Sequence, residues 1–280
     1  MKRIAIIIFG FLIMLAGKSF AQPIRLQSVG LSKPFTLDLY FGNEGKGAGV
    51  KYKGQANMIA LRIKSYGVDT SGRSSGKPDV VTYVWDEMIA GKVNGQYGLT
   101  KKVNAIENSW YFRKKDGRRF ELQQLQNKED SGNSTLIVHD ALINFNRISN
   151  NKLEIKYPNG QTTSVILPNV DSPDARRQSY VEDYNFDGYD DLGFSIPDAG
   201  MGVYRTFGIW LYHPESKRFE KMIEPDFKHA ECSSLCDVTL DKKKKLLFST
   251  CRGGARWWQD TYRFSTNNRL IWLRSKELNL

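Results

Sequence analysis

Nine consecutive residues, Asp183 to Asp191, read Asp-Tyr-Asn-Phe-Asp-Gly-Tyr-Asp-Asp. Calcium takes about six to eight oxygen ligands around one ion. Asp183, Asn185 and Asp187 aim three side-chain oxygens inward from alternate positions. Gly188 permits the sharp turn that follows. Tyr189 offers its backbone carbonyl, and Asp191 closes the shell directly or through water. Carboxylates crowded into so short a stretch of a basic chain repel one another unless a cation neutralises them. The spacing therefore predicts a Ca²⁺ loop. It is not an EF-hand: its twelfth position is Phe194 rather than a bidentate Glu, and Ser179 to Glu182 and Leu192 to Ile196 alternate as strands.

No comparable set carries catalysis. Gly72-Arg-Ser-Ser-Gly76 matches a nucleophile elbow in letters only, because it sits in a Ser/Gly loop ending at Lys77-Pro78 rather than between strand and helix. His139, His213 and His229 are scattered and form no metal-binding pair. Asp86-Glu87 could be half of a glycosidase carboxylate pair but reads more simply as a strand end. Arg252 to Trp258 is basic and aromatic, and the run Lys242 to Lys245 is a charged hairpin tip. Trp257 and Trp258 point to opposite faces of a strand, so one is expected in the core. The expectation is a binding protein without enzymatic activity.

The N-terminus sets the compartment. Lys2-Arg3 precedes 13 uncharged residues, Ile4 to Ala16, and Ser19-Phe20-Ala21 supplies small residues for cleavage after Ala21. A span needs about 20 apolar residues, so this reads as a cleavable signal peptide over 1–21 and not as a membrane anchor. The chain of 280 residues holds 41 basic and 30 acidic side chains, a net charge of +11. The leader carries three cations and no acid, which leaves +8. A nucleic-acid partner does not suit an exported protein, so the expected location is the periplasm. Cysteines pair in such compartments. If Lys243-Lys244 is a two-residue turn, Lys242 faces Lys245, and that register places Cys236 opposite Cys251. The expected disulfide is Cys236–Cys251, with Cys232–Cys251 competing if the register slips.

The elements that must hold these groups read as all-β. Period-two stretches occur at 35–41, 56–64, 80–85, 95–100, 108–113, 119–125, 153–157, 161–167, 206–212, 218–222, 261–264 and 270–274. Lys115-Asp116-Gly117 and Pro158-Asn159-Gly160 mark hairpin turns. Asp140 to Ile148 is the best helical candidate. Hairpins recur about every 40–50 residues, a propeller-like period. Asp69 to Pro78 marks a boundary, giving N-terminal hairpins over 22–78 and a propeller-like β domain over 79–280.

The strand–DxNxDGxxD–strand unit resembles the calcium loop of FG-GAP/VCBS-type β-propeller repeats. An ordered set extends the likeness over about residues 175–265: Val181 to Leu192, Trp210-Leu-Tyr212 with Pro214, Lys217-Arg-Phe219, Leu247-Phe-Ser249, Arg252-Gly-Gly-Ala255 and Tyr262-Arg-Phe264. It resembles a family of periplasmic calcium-loop propeller proteins whose characterised members are immunity proteins against lysozyme-like toxins. The resemblance implies that a loop enters a glycosidase cleft. Pro197 to Tyr204 is the segment that could do so, with Asp198 addressing donors and Met201 and Tyr204 as apolar anchors. The expected partner is a lysozyme-like glycoside hydrolase. The other reading is a cell-envelope module that binds glycan or anionic polymer through Trp257, Trp258 and the lysine run.

Overall fold

A computed structural model describes residues 23–103, 105–125, 131–170, 175–198, 200 and 203–279. The expected signal peptide, 1–21, lies outside the described residues. The first eight strands are β1 (Ile24–Ser28), β2 (Thr36–Tyr40), β3 (Ala48–Tyr52), β4 (Ile59–Asp69), β5 (Val80–Ile89), β6 (Lys92–Lys102), β7 (Ala105–Arg113) and β8 (Arg118–Gln124). They form an antiparallel meander, and β1 pairs with β8 to close a barrel. Period-two alternation decides what fills it. Leu26, Leu37, Leu39, Val50, Trp85, Tyr97, Leu99 and Leu122 point inward and are buried. An eight-stranded barrel is just wide enough for such side chains to fill. Indole Nε1 of Trp85 donates to the Gly45 carbonyl at 2.7 Å, which ties the loop before β3 over one barrel end.

Twelve further strands make three four-stranded antiparallel meanders. The first holds β9 (Asn133–Val138), β10 (Ala141–Asn146), β11 (Lys152–Lys156) and β12 (Thr162–Ile166). The second holds β13 (Gln178–Glu182), β14 (Asp191–Pro197), β15 (Arg205–His213) and β16 (Arg218–Lys221). The third holds β17 (Thr239–Asp241), β18 (Leu246–Gly253), β19 (Arg256–Phe264) and β20 (Leu270–Leu278). The second sheet is buried on both faces. Leu192, Phe194, Trp210 and Tyr212 pack on the first sheet, and Ile209 and Leu211 on the third. A strand covered on both faces reads as an unbroken apolar run, which is why 207–212 is Phe-Gly-Ile-Trp-Leu-Tyr.

Two expectations need correction. Asp140 to Ile148 is not helical: His139 and Asp140 have φ of 49° and 60°, the two left-handed residues of a hairpin turn, and β10 follows. The boundary at residue 78 falls inside the barrel, between β4 and β5. The change from barrel to meanders comes after β8. The Gly47 carbonyl accepts from Ile137 N at 2.9 Å across that junction, and Lys46 pairs with Glu182. Among the described residues no helix is long and apolar enough to cross a membrane.

Candidate metal loop and partner loop

The loop 183–190 joins β13 to β14. Asp183 Oδ1 accepts from Asp187 N at 3.0 Å, and its Oδ2 accepts from Gly188 N at 2.9 Å. Asp187 Oδ1 accepts from Tyr189 N at 2.9 Å, and Asn185 Nδ2 donates to Asp187 Oδ2 at 2.9 Å. Phe186 and Gly188 turn the chain at φ of 63° and 94°. Three of the five expected ligands, Asp183, Asn185 and Asp187, are thus gathered in one tight turn.

Asp191 stands apart from that turn. It is fully buried, and its two oxygens accept from Tyr184 N at 2.9 Å and Tyr212 N at 2.7 Å. Burial pushes its carboxyl up to about 7; the two N–H groups oppose that shift, and the charges of Asp187 and Asp183 add to it. Tyr184 lies in the core against Gly193, where a Cβ would stand 2.2 Å from the tyrosine oxygen. Only glycine leaves room for that ring.

The donors are hard oxygens throughout, so they fit calcium in kind. A carboxylate offers about four lone-pair sites, so the hydrogen bonds above do not exhaust them. Among the described residues, no three His, Cys, Asp or Glu side chains stand close enough to hold a metal by themselves. The amide of Asn185 and backbone carbonyls would have to complete any shell.

Neighbours missed by sequence reasoning brace the loop. His139 Nε2 lies 2.8 Å from the Asp190 carbonyl, and its ring stacks on Tyr212 at 3.8 Å. A lone His within a hairpin turn gives no signal of this. Lys245 Nζ donates to the Phe186 carbonyl at 3.4 Å, and Lys242 bonds Glu182 at 3.0 Å. Glu182 holds the Lys242 ammonium above its usual pKa, with Asp190 and Asp183 adding to the effect. The lysine tip thus lies along the acidic loop.

The cysteine pairing differs from the expected one. The disulfide joins Cys232 to Cys251, with Cα atoms 5.7 Å apart, and Cys236 is a buried free thiol. The expected register is present, since Asp241 faces Leu246 and Thr239 faces Phe248. The ladder ends at Thr239, however. Asp237, at φ 36°, turns the chain away, and Cys236 instead bridges Thr206. Asp260, fully buried, accepts from Cys232 N at 2.9 Å and from Glu231 N at 3.2 Å, which fixes Cys232 beside Cys251. Burial raises the Cys236 thiol to about 11. Native protein should therefore resist iodoacetamide at about pH 8, where the thiolate is scarce, and gain one adduct in denaturant. Fast native labelling would show that the thiol is open to solvent.

The partner loop leaves the opposite end of β14. Asp198 N donates to the Tyr204 carbonyl at 2.9 Å, and its carboxylate accepts from Gly200 N at 3.0 Å and Tyr204 N at 3.3 Å. Asp198 closes its own loop instead of facing outward. Tyr204, half-buried, packs with Trp258 on the three cysteines. Met201 lies outside the described residues. Arg205, also missed, binds Ser195 Oγ at 2.8 Å and the Arg176 carbonyl at 2.6 Å, anchoring the loop's exit.

Asp86 and Glu87 lie on opposite faces of β5: Glu87 points into the barrel and bonds Asn94, while Asp86 faces outward and bonds Gln96. The Ser/Gly loop at 72–76 forms an exposed 3₁₀ turn. No family model and no curated protein matches the chain. A crystal structure described as a 6-phosphogluconolactonase from Bacteroides fragilis is similar at 13% identity and a TM-score of 0.32, covering 88% of this chain and 68% of that one. A likeness of that size carries no argument.

Proposed function

We propose that this chain is an exported, calcium-binding β protein that inhibits a peptidoglycan-cleaving, lysozyme-like glycosidase, as an immunity protein does. The observation that carries the reading is the closed loop at the end of β14. Asp198 ties both of its ends together, and Tyr204 rests on the disulfide cluster. Loop ends fixed before binding lower the entropy cost of docking. The Cys232–Cys251 bridge supports residence in an oxidising compartment such as the periplasm. Three successive four-stranded meanders, the middle one covered on both faces, support a propeller-like stacking of blades.

Asp183, Asn185, Asp187 and the Tyr189 carbonyl are the proposed direct ligands, and Asp191, held back in the core by Tyr184 N and Tyr212 N, would close the shell only through water. Bound calcium would supply positive charge that neutralises the turn. β14 is seven residues long, so about 20 Å separates this turn from the partner loop. The loop residues, not the ion, would meet the partner. The basic charge suits an acidic enzyme surface.

The test is capture from envelope extract by the exported chain, in calcium and in chelator. A muramidase should be retained, and Tyr204→Ala should weaken it about tenfold or more, or about 1.4 kcal/mol. Asp187→Ala should abolish the calcium-dependent rise in melting temperature. Capture of no glycosidase, or capture unaffected by Tyr204→Ala, would overturn the inhibitor reading. An unchanged calcium response would overturn the metal site.

A further inference from the structure

A second binding site lies on the outer face of the barrel. Two β-bulges flank β5. Pairing steps from Ile63–Trp85 to Ser65–Val84, leaving Lys64 extra, and from Glu87–Gly95 to Met88–Val93, leaving Asn94 extra. Bulges re-aim side chains and often border functional sites. Between them opens a shallow, open groove of about 370 Å³. Its lining includes Lys64, Asp86, Gln96, Phe112 and Lys114.

The registers place Arg62, Asp86, Gln96, Phe112 and Arg119 side by side in one row across β4 to β8. Asp86 accepts from Gln96 Nε2 at 2.9 Å, and Arg62 lies 3.6 Å from its other oxygen. The Asp86 carboxylate is nearly buried and keeps lone pairs to spare. Phe112 contributes a half-buried ring. Lys64 and Lys114, both exposed, have no acidic partner among the described residues. One row further along the same face, Trp110 lies across Gly98, where a Cβ would meet the indole at 2.1 Å. The Arg119 guanidinium sits over that indole at 4.3 Å.

Each feature selects a ligand property. The Asp86–Gln96 pair offers acceptors and donors for hydroxyl groups. The Phe112 ring offers an apolar face for C–H groups. Two unpaired ammonium groups, with Asp86 already engaged by Arg62, call for an anion. A simple phosphate gains nothing from the Phe112 ring and has no sugar hydroxyls for the Asp86–Gln96 pair, whereas a neutral sugar leaves both lysines without a partner. We propose that this groove binds a carboxylated sugar of an acidic glycan, with the next ring of the chain running onto Trp110 and Arg119. The proposal does not rest on the partner loop, which belongs to a different sheet.

Titration calorimetry of the exported chain with a hexuronate tetrasaccharide tests it. The controls are the same oligomer with its carboxylates reduced to alcohols, and inorganic phosphate. Saturable binding of the acidic oligomer is expected, about tenfold or more above the reduced form, weakening as salt is raised. Phosphate at equal concentration should not compete. Lys64→Ala with Lys114→Ala should lower affinity by about tenfold or more at an unchanged melting temperature; Lys243→Ala, on the distant hairpin tip, should not. The proposal is overturned by equal binding of the reduced oligomer, by displacement with phosphate, by no binding at millimolar ligand, or by full affinity in the double variant.

Discussion

Asp191→Ala is expected to lower the unfolding free energy by about 4 kcal/mol. The carboxylate is fully buried and accepts the backbone N–H groups of Tyr184 and Tyr212. Alanine leaves both donors buried without a partner, at about 1–3 kcal/mol each. Tyr184 lies at the start of the acidic loop and Tyr212 lies on β15, so one side chain ties the loop to its neighbouring strand. Asp191→Asn keeps one acceptor but turns an N–H toward the other donor, so most of the loss should remain. Asp190→Ala, on the exposed side of the loop, should stay within about 0.5 kcal/mol.

Urea unfolding in calcium and in chelator separates this role from ion binding. The Asp191→Ala loss should persist in chelator, because it comes from backbone donors that exist without any ion. The Asp187→Ala loss should shrink there to about 1 kcal/mol or less, because only its exposed hydrogen bonds to Tyr189 N and Asn185 remain while its main contribution would be to the ion. A loss below about 1 kcal/mol for Asp191→Ala in chelator would show that these two N–H groups find water or other partners when the carboxylate is removed.

Local signals in the chain placed most of the strands, since alternation and turn residues act over a few positions. Lys115-Asp116-Gly117 separates β7 from β8, and Asn159-Gly160 separates β11 from β12, as their types require. The misread segment, Asp140 to Ile148, has apolar residues at helical spacing. Its strand character is set one step upstream, where His139 and Asp140 adopt positive φ. Closure of the barrel was not legible, because β1 and β8 meet across nearly the whole length of the unit and no short-range period encodes that.

The candidate sites divide the same way. Asp183, Asn185 and Asp187 are neighbours in sequence, so their convergence could be read from spacing. Asp191 is separated from them because its side chain enters the core, and its partner on Tyr212 comes from a different hairpin. The hairpin register at Lys242 and Lys245 was readable, yet the cysteine pairing was not. That pairing depends on where the ladder stops, which Asp237 decides by its conformation, and on Asp260 holding Cys232 from another strand. The barrel groove draws on four strands and two bulges, and a bulge leaves no mark in a period-two pattern beyond one extra residue.

Replacing both Cys232 and Cys251 by serine should cost about 3 kcal/mol. The bridge spans a sequence separation of 19, and constraint of an unfolded loop of that length is worth about that much. The double replacement avoids leaving a new thiol beside Cys236. Its second effect concerns the partner loop. Tyr204 and Trp258 pack on the three cysteines, so two serines remove an apolar platform and introduce hydroxyls that need partners. Asp198 still accepts from Tyr204 N, so the loop should loosen without opening fully. Hydrogen exchange at Tyr204 and Phe207 should then rise more than exchange in β10, which belongs to a sheet remote from the bridge. In the proposed inhibitor this loosening should appear as weaker capture of the glycosidase even below the melting transition, because the loop must be ordered at the moment of docking. A loss below about 1 kcal/mol, or equal exchange increases in the loop and in β10, would mean that the bridge acts on the whole chain alone and that the loop is held by Asp198 and Arg205 without it.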